Sequence, residues 1–389
     1  MSLCALLIPL TFAAAFAGEV NGEVEPERPP KPVFLALPLV SYDSNLRLGL
    51  GAFGQVILPD PTGETPYRAN LSTQLLFTTG GYQNHFLRAD LPALGGSRWR
   101  LMVTARRVAW TRAPYYGLGP ESARSEDPEH DLWEQSRWLL RADARAGLPG
   151  PFEVFGALNV QHEGVSADPE ARLSQEQPLG FDGGRLVWLG VGVIYEGRDN
   201  EINPRQGLAA DLSFRVSSPW IGSDWAYQGV NLGLRGAVPL GGRVVWASNL
   251  IVDARFGEEP FFTMSTFAGL SRGGVLGGRW TLRGLPEERL RGDGVALTQH
   301  ELRVTVIEHT VRGAPWAWSL APFVDVGQVW LWDAPPPETL AIGAGLGLRL
   351  VAKELLVLRV DVARSVDTYA EAPTRRPSTQ VLVLSEHPF

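Results

Sequence analysis

The residues best suited to do chemistry here are a loop arginine and a few distant carboxylates. Arg283 lies in GGRWTLRGLPEERLRGD, residues 277–293, between Leu282 and Gly284. A guanidinium is a rigid fork that can grip one carboxylate through two parallel hydrogen bonds, most strongly in a partly dry cavity. Two carboxylates are candidates for it: Glu301 in TQHELRV and Asp325 in FVDVGQVW. If the segment folds inward, Arg283 pairs with Asp325 and Glu301 supports it. If it stays outside, Arg283 is a solvated loop charge, and spacing leaves both open. Gly278 and Gly284 permit tight turns and a close approach to a wall.

Other chemistry is harder to find. The six histidines are His85, His130, His162, His300, His309 and His387. No G-x-S-x-G elbow and no H-E-x-x-H pair is present. QHEGV and QHELR each hold a single His-Glu, which is not metal-ligand spacing. His300 faces away from Glu301, and a Ser–His pair on the outer face is the remaining catalytic option. The expectation is no enzyme, no catalytic residue, no metal and no cofactor. Lys and Arg total 35 against 42 Asp and Glu, a net charge of −7, so nucleic acid is not an expected partner. The acidic stretch ESARSEDPEHDLWE, 121–134, reads as a solvated loop that could hold divalent cations but need not.

The elements that would carry these residues repeat every two positions. In ELLVLRVDVARS, Leu356, Leu358, Val360 and Val362 share one face, while Arg359 and Asp361 lie on the other. AIGAGLGLRLV sets Ile342, Ala344, Leu346, Leu348 and Leu350 against Gly343, Gly345, Gly347 and Arg349. About sixteen such segments can be drawn, many of them roughly ten residues or longer, as a transmembrane barrel requires. They lie near 33–42, 45–58, 68–79, 84–92, 98–110, 135–147, 152–164, 185–197, 207–217, 225–239, 242–256, 298–309, 316–330, 340–351, 354–365 and 379–389. Short connections (94–97, 148–151, 239–242, 352–354) alternate with long ones (111–134, 166–184, 257–297, 366–378). That asymmetry predicts an all-β, antiparallel outer-membrane barrel with both termini in the periplasm. A soluble sandwich would also alternate. Its strands would be shorter, and it would not collect Trp99, Trp110, Trp316 and Trp330 near strand ends, where an interfacial girdle sits. On this reading apolar rows face lipid and charged rows face the lumen. The lumenal wall then holds Arg303, Arg349, Arg359 and Asp361, with Gly327, Gly343, Gly345 and Gly347 leaving room.

The first residues, MSLCALLIPLTFAAAFA, read as a signal peptide over 1–17 ending in an A-x-A site. Cys4 would leave with it. A charged, Pro-rich linker follows at 18–32, and the barrel occupies 33–389. Pro38 in the first strand and Pro388 near the last residue suggest a poorly zipped first–last seam, because proline cannot donate to a ladder. Prolines also cluster at strand ends for simpler reasons.

The motif GGRWTLRGLPEERLRGD followed by QHELRV resembles the sixth extracellular loop of the Omp85 superfamily, the family of BamA, TamA and the D15 surface antigens. GRDNEINPRQG (197–207) resembles that family's D-x-R-D-N…P…G turn, with Gly197 at the usual first acidic position. YYGLGP (115–120) resembles its Y-x-G-L-G loop, and FVDVGQVW its F-x-D-x-G strand. The resemblance runs from about residue 33 to 389, with four motifs in order. It implies a long loop folded into the lumen, on which Leu282-Arg283-Gly284-Leu285 is the motif, with Asp325 as the arginine's partner and Glu301 as a second acid. Leu285 replaces the usual aromatic, which unsettles that part of the packing. Only about 15 residues lie between the expected cleavage site and the first strand, so the expectation is a barrel without POTRA domains. The implied function is a scaffold that inserts or translocates outer-membrane protein or lipid through a weak seam. The alternative is a passive channel or surface barrel without insertase activity. Outer-membrane lipids are the expected partners, with a separate periplasmic or outer-membrane accessory protein as a further candidate.

Overall fold

The computed structural model describes residues 31–60, 67–264, 275–311, 313–335, 340–352, 356–366 and 378–384. Sixteen antiparallel strands close into one barrel in chain order. They are β1 (Val33–Asp43), β2 (Arg47–Leu58), β3 (Ala69–Thr78), β4 (Tyr82–Leu91), β5 (Trp99–Pro114), β6 (Leu132–Gly147), β7 (Phe152–Ser166), β8 (Gly184–Glu196), β9 (Gly207–Ser217), β10 (Tyr227–Gly241), β11 (Val244–Gly257), β12 (Gly294–Val311), β13 (Ala314–Trp330), β14 (Ala341–Ala352), β15 (Leu356–Val366) and β16 (Ser378–Leu384). The expected signal peptide, most of the linker, and Pro388 lie outside the described residues.

Alternation explains why these segments become strands and why the sheet closes. Successive side chains point to opposite faces, and an open edge in lipid would strand backbone donors and acceptors, so the barrel must shut. Its faces are inverted relative to a soluble protein. Leu346, Val362 and Val381 form one outward row across β14, β15 and β16 and are 52%, 50% and 36% exposed. Arg349, Arg359 and Asp361 point inward and are fully buried.

Several details depart from the sequence reading. β12 starts at Gly294, four residues earlier than expected, because the Gly-Val-Ala start carries too little side chain to show a period. An added Cβ at Gly294 would overlap the Trp330 ring. β5 and β6 run on to Pro114 and back to Leu132, past a register shift between Trp110 and Ala113, the kink expected of a bulge. Polar and apolar faces are also less pure than expected. Counting back by twos from the buried Asp43 puts Leu39, Leu37 and Leu35 on the inward face of β1. Arg107, His162, Arg185 and Arg364 point outward.

One rim carries the long connections 115–131, 167–183 and 258–293, and the other carries short ones such as 148–151 and 242–243. At the long-loop rim, Tyr115, Trp133, Leu173, Trp225, Phe261 and Phe262 form one buried apolar cluster that draws all three connections together. Edge-on ring pairs such as Tyr115–Phe261 at 5.4 Å and Trp225–Phe262 at 5.4 Å fix its geometry.

Closure is uneven. β1 pairs with β2 over its whole length, Val33↔Ile57 to Asp43↔Arg47. With β16 it pairs, among the described residues, only at Tyr42↔Val383 and Asp43↔Leu382. Pro38 lies on the stretch of β1 that has no described partner on that side.

Candidate functional site

The segment 275–293 is shaped first by its own backbone. Leu276 and Leu290 exchange N–H···O bonds of 3.1 and 3.0 Å, pinching the segment into a narrow loop. Gly284 sits at φ 98°, a left-handed region that only glycine enters without strain. The Thr281 hydroxyl lies within donating reach of the carbonyls of Val275 (3.0 Å) and Gly277 (2.9 Å), which compete for its one proton, and accepts from the Gly277 N–H (3.0 Å).

This loop packs against the inward face of β11–β15. Leu276, Leu282, Leu285 and Leu290 are fully buried against Ile251, Leu297 and Val329. Leu285, which stands where the resemblance implies an aromatic, is one of them. Fully burying such side chains contributes roughly 1.5–3 kcal/mol each. The wall gives way to the loop at glycines: a Cβ at Gly343 would overlap the Arg283 carbonyl oxygen, and one at Gly327 would crowd Leu276. Gly345 and Gly347 instead make room for Phe323 and for the Arg349 and Asp361 side chains.

Arg283 is fully buried at the centre. Its Nε and Nη2 donate to Asp325 Oδ2 and Oδ1, each at 2.8 Å, and its backbone N–H reaches Oδ2 at 3.0 Å. Nη1 donates to Glu301 Oε2 at 3.1 Å and Asp361 Oδ2 at 3.3 Å. The guanidinium carbon lies 3.5 Å from the Phe323 ring centroid, a cation–π contact. Around it, Arg349 bridges Glu301 (2.6 Å) and Asp361 (2.5 Å), and Arg303 holds Glu301 at 3.1 Å. Arg359 reaches Asp361 at 3.4 Å and donates to the Arg279 carbonyl at 2.7 Å. Four guanidiniums thus share three carboxylates. Burial opposes charge on Arg283, but Asp325, then Asp361 and Glu301, outweigh it and hold its proton more tightly than usual. Sequence reasoning placed Asp361 on the wall without linking it to Arg283. Phe323, two residues before Asp325 on the same face, could have been found by counting.

The other motifs divide between the rims. Gly119, from YYGLGP, donates its N–H to the Arg291 carbonyl at 2.7 Å, while the Arg289 and Arg291 side chains reach Ser122 and Pro114. The far end of the loop is therefore tied to the β5–β6 connection. GRDNEINPRQG is a turn at the opposite rim, where Asp199 Oδ1 accepts from the N–H groups of Arg205 (3.0 Å) and Gln206 (3.2 Å). Asn203, Pro204 and Arg205 of this turn line a small cavity together with Arg303 and Arg349 of the Arg283 cluster.

Gln380 of β16, which the sequence did not single out, contacts both the loop and the first hairpin. Its Oε1 accepts from Gly284 N–H at 3.4 Å and its Nε2 donates to Asn45 Oδ1 at 3.2 Å. Beside it the Ser44 hydroxyl accepts from Val381 N–H at 2.9 Å. Among the described residues no three His, Cys, Asp or Glu side chains are grouped to hold a metal. A Ser–His pair does occur on the outer face: Ser248 Oγ lies 3.0 Å from His300 Nδ1, with His300 Nε2 3.1 Å from Thr298 Oγ1. Thr298 in turn donates to the Asn249 carbonyl at 3.2 Å, so the chain of bonds satisfies polar groups that would otherwise face lipid.

Glu287, partly buried over Gly278, supplies a pH test. Burial, with Asp43 and Glu288 adding to it and Arg279 opposing, pushes its carboxyl up to about 7 from an ordinary 4.5. The docked loop then keeps a proton that a released loop loses. Docking is fully supported below about 4.5, weakens as pH rises, and has lost this contribution above about 7. Hydrogen exchange over 275–293, corrected for intrinsic rates, should therefore be faster at alkaline than at acid pH. In Glu287→Gln the difference should flatten; an undiminished difference would assign it to another group.

A family model described as the Omp85 superfamily domain matches residues 183–378, a span that contains Arg283 and its three carboxylates. No curated protein sequence matches the chain. Among solved structures the fold is similar to that of BamA from Haemophilus ducreyi lacking POTRA domains 1–3, with TM-score 0.60 and 14% identity over 91% of this chain and 70% of that one. CdiB from Escherichia coli gives TM-score 0.58 and 14% identity over 92% of this chain and 63% of that one. CdiB from Acinetobacter baumannii gives 0.53 and 12% over 90% and 59%. The chain spans less than two thirds of either CdiB structure, and identities this low speak to fold alone.

Proposed function

Because the chain belongs to the Omp85 superfamily, we propose that this outer-membrane barrel is a scaffold for inserting or translocating outer-membrane protein or lipid. The observation that carries this reading is the seam. β1 meets β16 through Tyr42↔Val383 and Asp43↔Leu382, whereas β15 meets β16 from Arg359↔Leu384 to Ser365↔Ser378. In this reading the barrel parts at the first–last seam, where Pro38 gives β1 no N–H for the ladder, and the freed edges of β1 and β16 would template an incoming strand. The buried loop supports the same reading over a passive channel, because it occupies space that a steady current would need. In this reading Arg283 pins the loop, the short-turn rim and both termini face the periplasm, and substrate arrives by way of a separate accessory protein.

The test locks the seam. In a Cys4→Ser background, Tyr42→Cys and Val383→Cys place two thiols on directly paired positions. Reconstituted protein should speed the insertion of a small unfolded barrel protein into vesicles when reduced and stop doing so when the disulfide forms. Equal acceleration in both states would sink the seam. No acceleration in either would leave a passive or structural barrel as the better account.

A further inference from the structure

Among its outward side chains the lipid-facing surface carries one contiguous row of cationic and aromatic groups. Five directly paired positions cross five neighbouring strands: His85↔Arg107, Arg107↔Trp138, Trp138↔His162 and His162↔Arg185. Their parity is fixed by their neighbours. Leu87 on β4, Leu140 on β6, Leu158 on β7 and Leu189 on β8 lie on the same outward face and are 60%, 49%, 39% and 43% exposed. Trp138 itself is 59% exposed. Glu163 and Asp143 of these strands point the other way, into the lumen, where they pair with Arg137 and Arg141.

We propose that this His85–Arg107–Trp138–His162–Arg185 row binds the phosphate-bearing headgroup of an anionic membrane lipid. Cations on a barrel's outer face are costly at mid-depth and nearly free at the interface. The row sits at the level where they become affordable to the fold. Arg107 lies eight residues above Trp99 at the short-turn end of β5, and ten residues separate Trp246 from Phe256 along β11. Phe256 and Trp332 stack at the long-loop rim with centroids 4.9 Å apart, marking the upper aromatic girdle. Arg107 and Trp138 are thus just below that girdle, and His162 and Arg185 lie progressively closer to the long-loop rim.

The row is also organised as a site. The Arg107 guanidinium lies 5.0 Å from the Trp138 ring centroid and is steadied through Nη1 by the carbonyls of Val108 and Arg137. A guanidinium held against an indole keeps a donor edge for a phosphate oxygen. His85 is packed against Phe77 at 4.7 Å. Two acids lie near the upper end of the row. Asp224 accepts from the Arg185 backbone N–H at 2.6 Å, and Glu134 is exposed two outward positions above Trp138. Neither forms an ion pair with a side chain of the row among the described residues. Charge complementarity therefore favours an anion, and the aliphatic band directly beneath favours one that carries acyl chains.

The experiment uses the full chain in mixed micelles of phosphatidylglycerol and phosphatidylcholine, with retained lipid counted by native mass spectrometry. Wild type should retain phosphatidylglycerol selectively. Arg107→Gln with Arg185→Gln should lower that retention roughly tenfold, whereas Arg364→Gln with Arg243→Gln, which removes two exposed cations elsewhere, should leave it unchanged. Heat-modifiable gel mobility reports whether each variant is folded. If the first pair does not fold, Arg107→Lys with Arg185→Lys keeps the charge but loses the fork, and an intermediate retention is expected. Equal retention of both lipids by wild type, or an equal loss in the two Gln pairs, would overturn the site. Displacement of the lipid by excess inorganic phosphate would also overturn it, since the occupant would then be a free anion.

Discussion

Arg283→Ala should convert a nearly closed barrel into one that opens or flickers in a planar bilayer. The argument rests on Asp325, whose described hydrogen bonds all come from Arg283. Glu301 would keep Arg349 and Arg303, and Asp361 would keep Arg349 and Arg359. Three guanidiniums would then face three carboxylates, a balanced count with a misplaced charge. Stranding one partner of a buried pair costs about 3–5 kcal/mol. The molecule has an easier route than keeping a dry, unpaired carboxylate: the loop leaves and water enters. That cost would raise the released population by roughly a hundredfold to several thousandfold. Single-channel recording of wild type beside the variant reads it directly. The same large, steady current from both proteins would mean that the loop does not block the lumen and that Arg283 does not pin it.

Gly343→Val should release the same loop without touching any charge. A Cβ at 343 would overlap the Arg283 carbonyl oxygen, a backbone atom that cannot swing aside, and would also press on Leu282. Overpacking of this kind typically costs about 1–3 kcal/mol, and it weakens the docked loop by that much relative to the released one. The strand itself should not suffer, since valine suits an extended backbone better than glycine does. The expected signature is therefore a barrel with unchanged heat-modifiable mobility, faster hydrogen exchange over 275–293, and openings like those of Arg283→Ala. Ala344→Val, one residue along and facing out, is the matched control and should behave as wild type. A Gly343→Val barrel as closed as wild type would show that the loop does not rest against β14.

How much of this was readable beforehand follows from the range of each interaction. The sixteen strands were legible because alternation is local. Leu356, Leu358, Val360 and Val362 declare their face within seven residues, and a one-residue slip would turn them all inward. β12 was misjudged at its start for the same reason, since Gly294 and Ala296 are too small to signal a face. The outward Arg107 and Arg185 were hidden because each interrupts an otherwise apolar row only once. Their meaning depends on which residue stands opposite on the next strand.

The residue types of the loop and wall were likewise visible, and the resemblance singled out Arg283, Asp325 and Glu301 among many charges. Their arrangement was not visible. Arg283 meets Asp361 across 78 residues of chain, Gly284 meets Gln380 across 96, and Ser44 meets Val381 across 337. Such contacts depend on the barrel's closure, its register and the depth at which the loop sits, none of which any window of sequence contains.

The sequence by itself thus determined an all-β barrel of sixteen strands and one rim of long loops. It did so because a lipid-facing wall imposes a period-two pattern on every strand independently. Only the tertiary structure decided that four guanidiniums share three carboxylates, that the described seam is two pairs long, and that five polar and aromatic side chains line up across β4–β8. Each of these is a relation between strands, and it exists only once the register is set and the sheet has closed on itself.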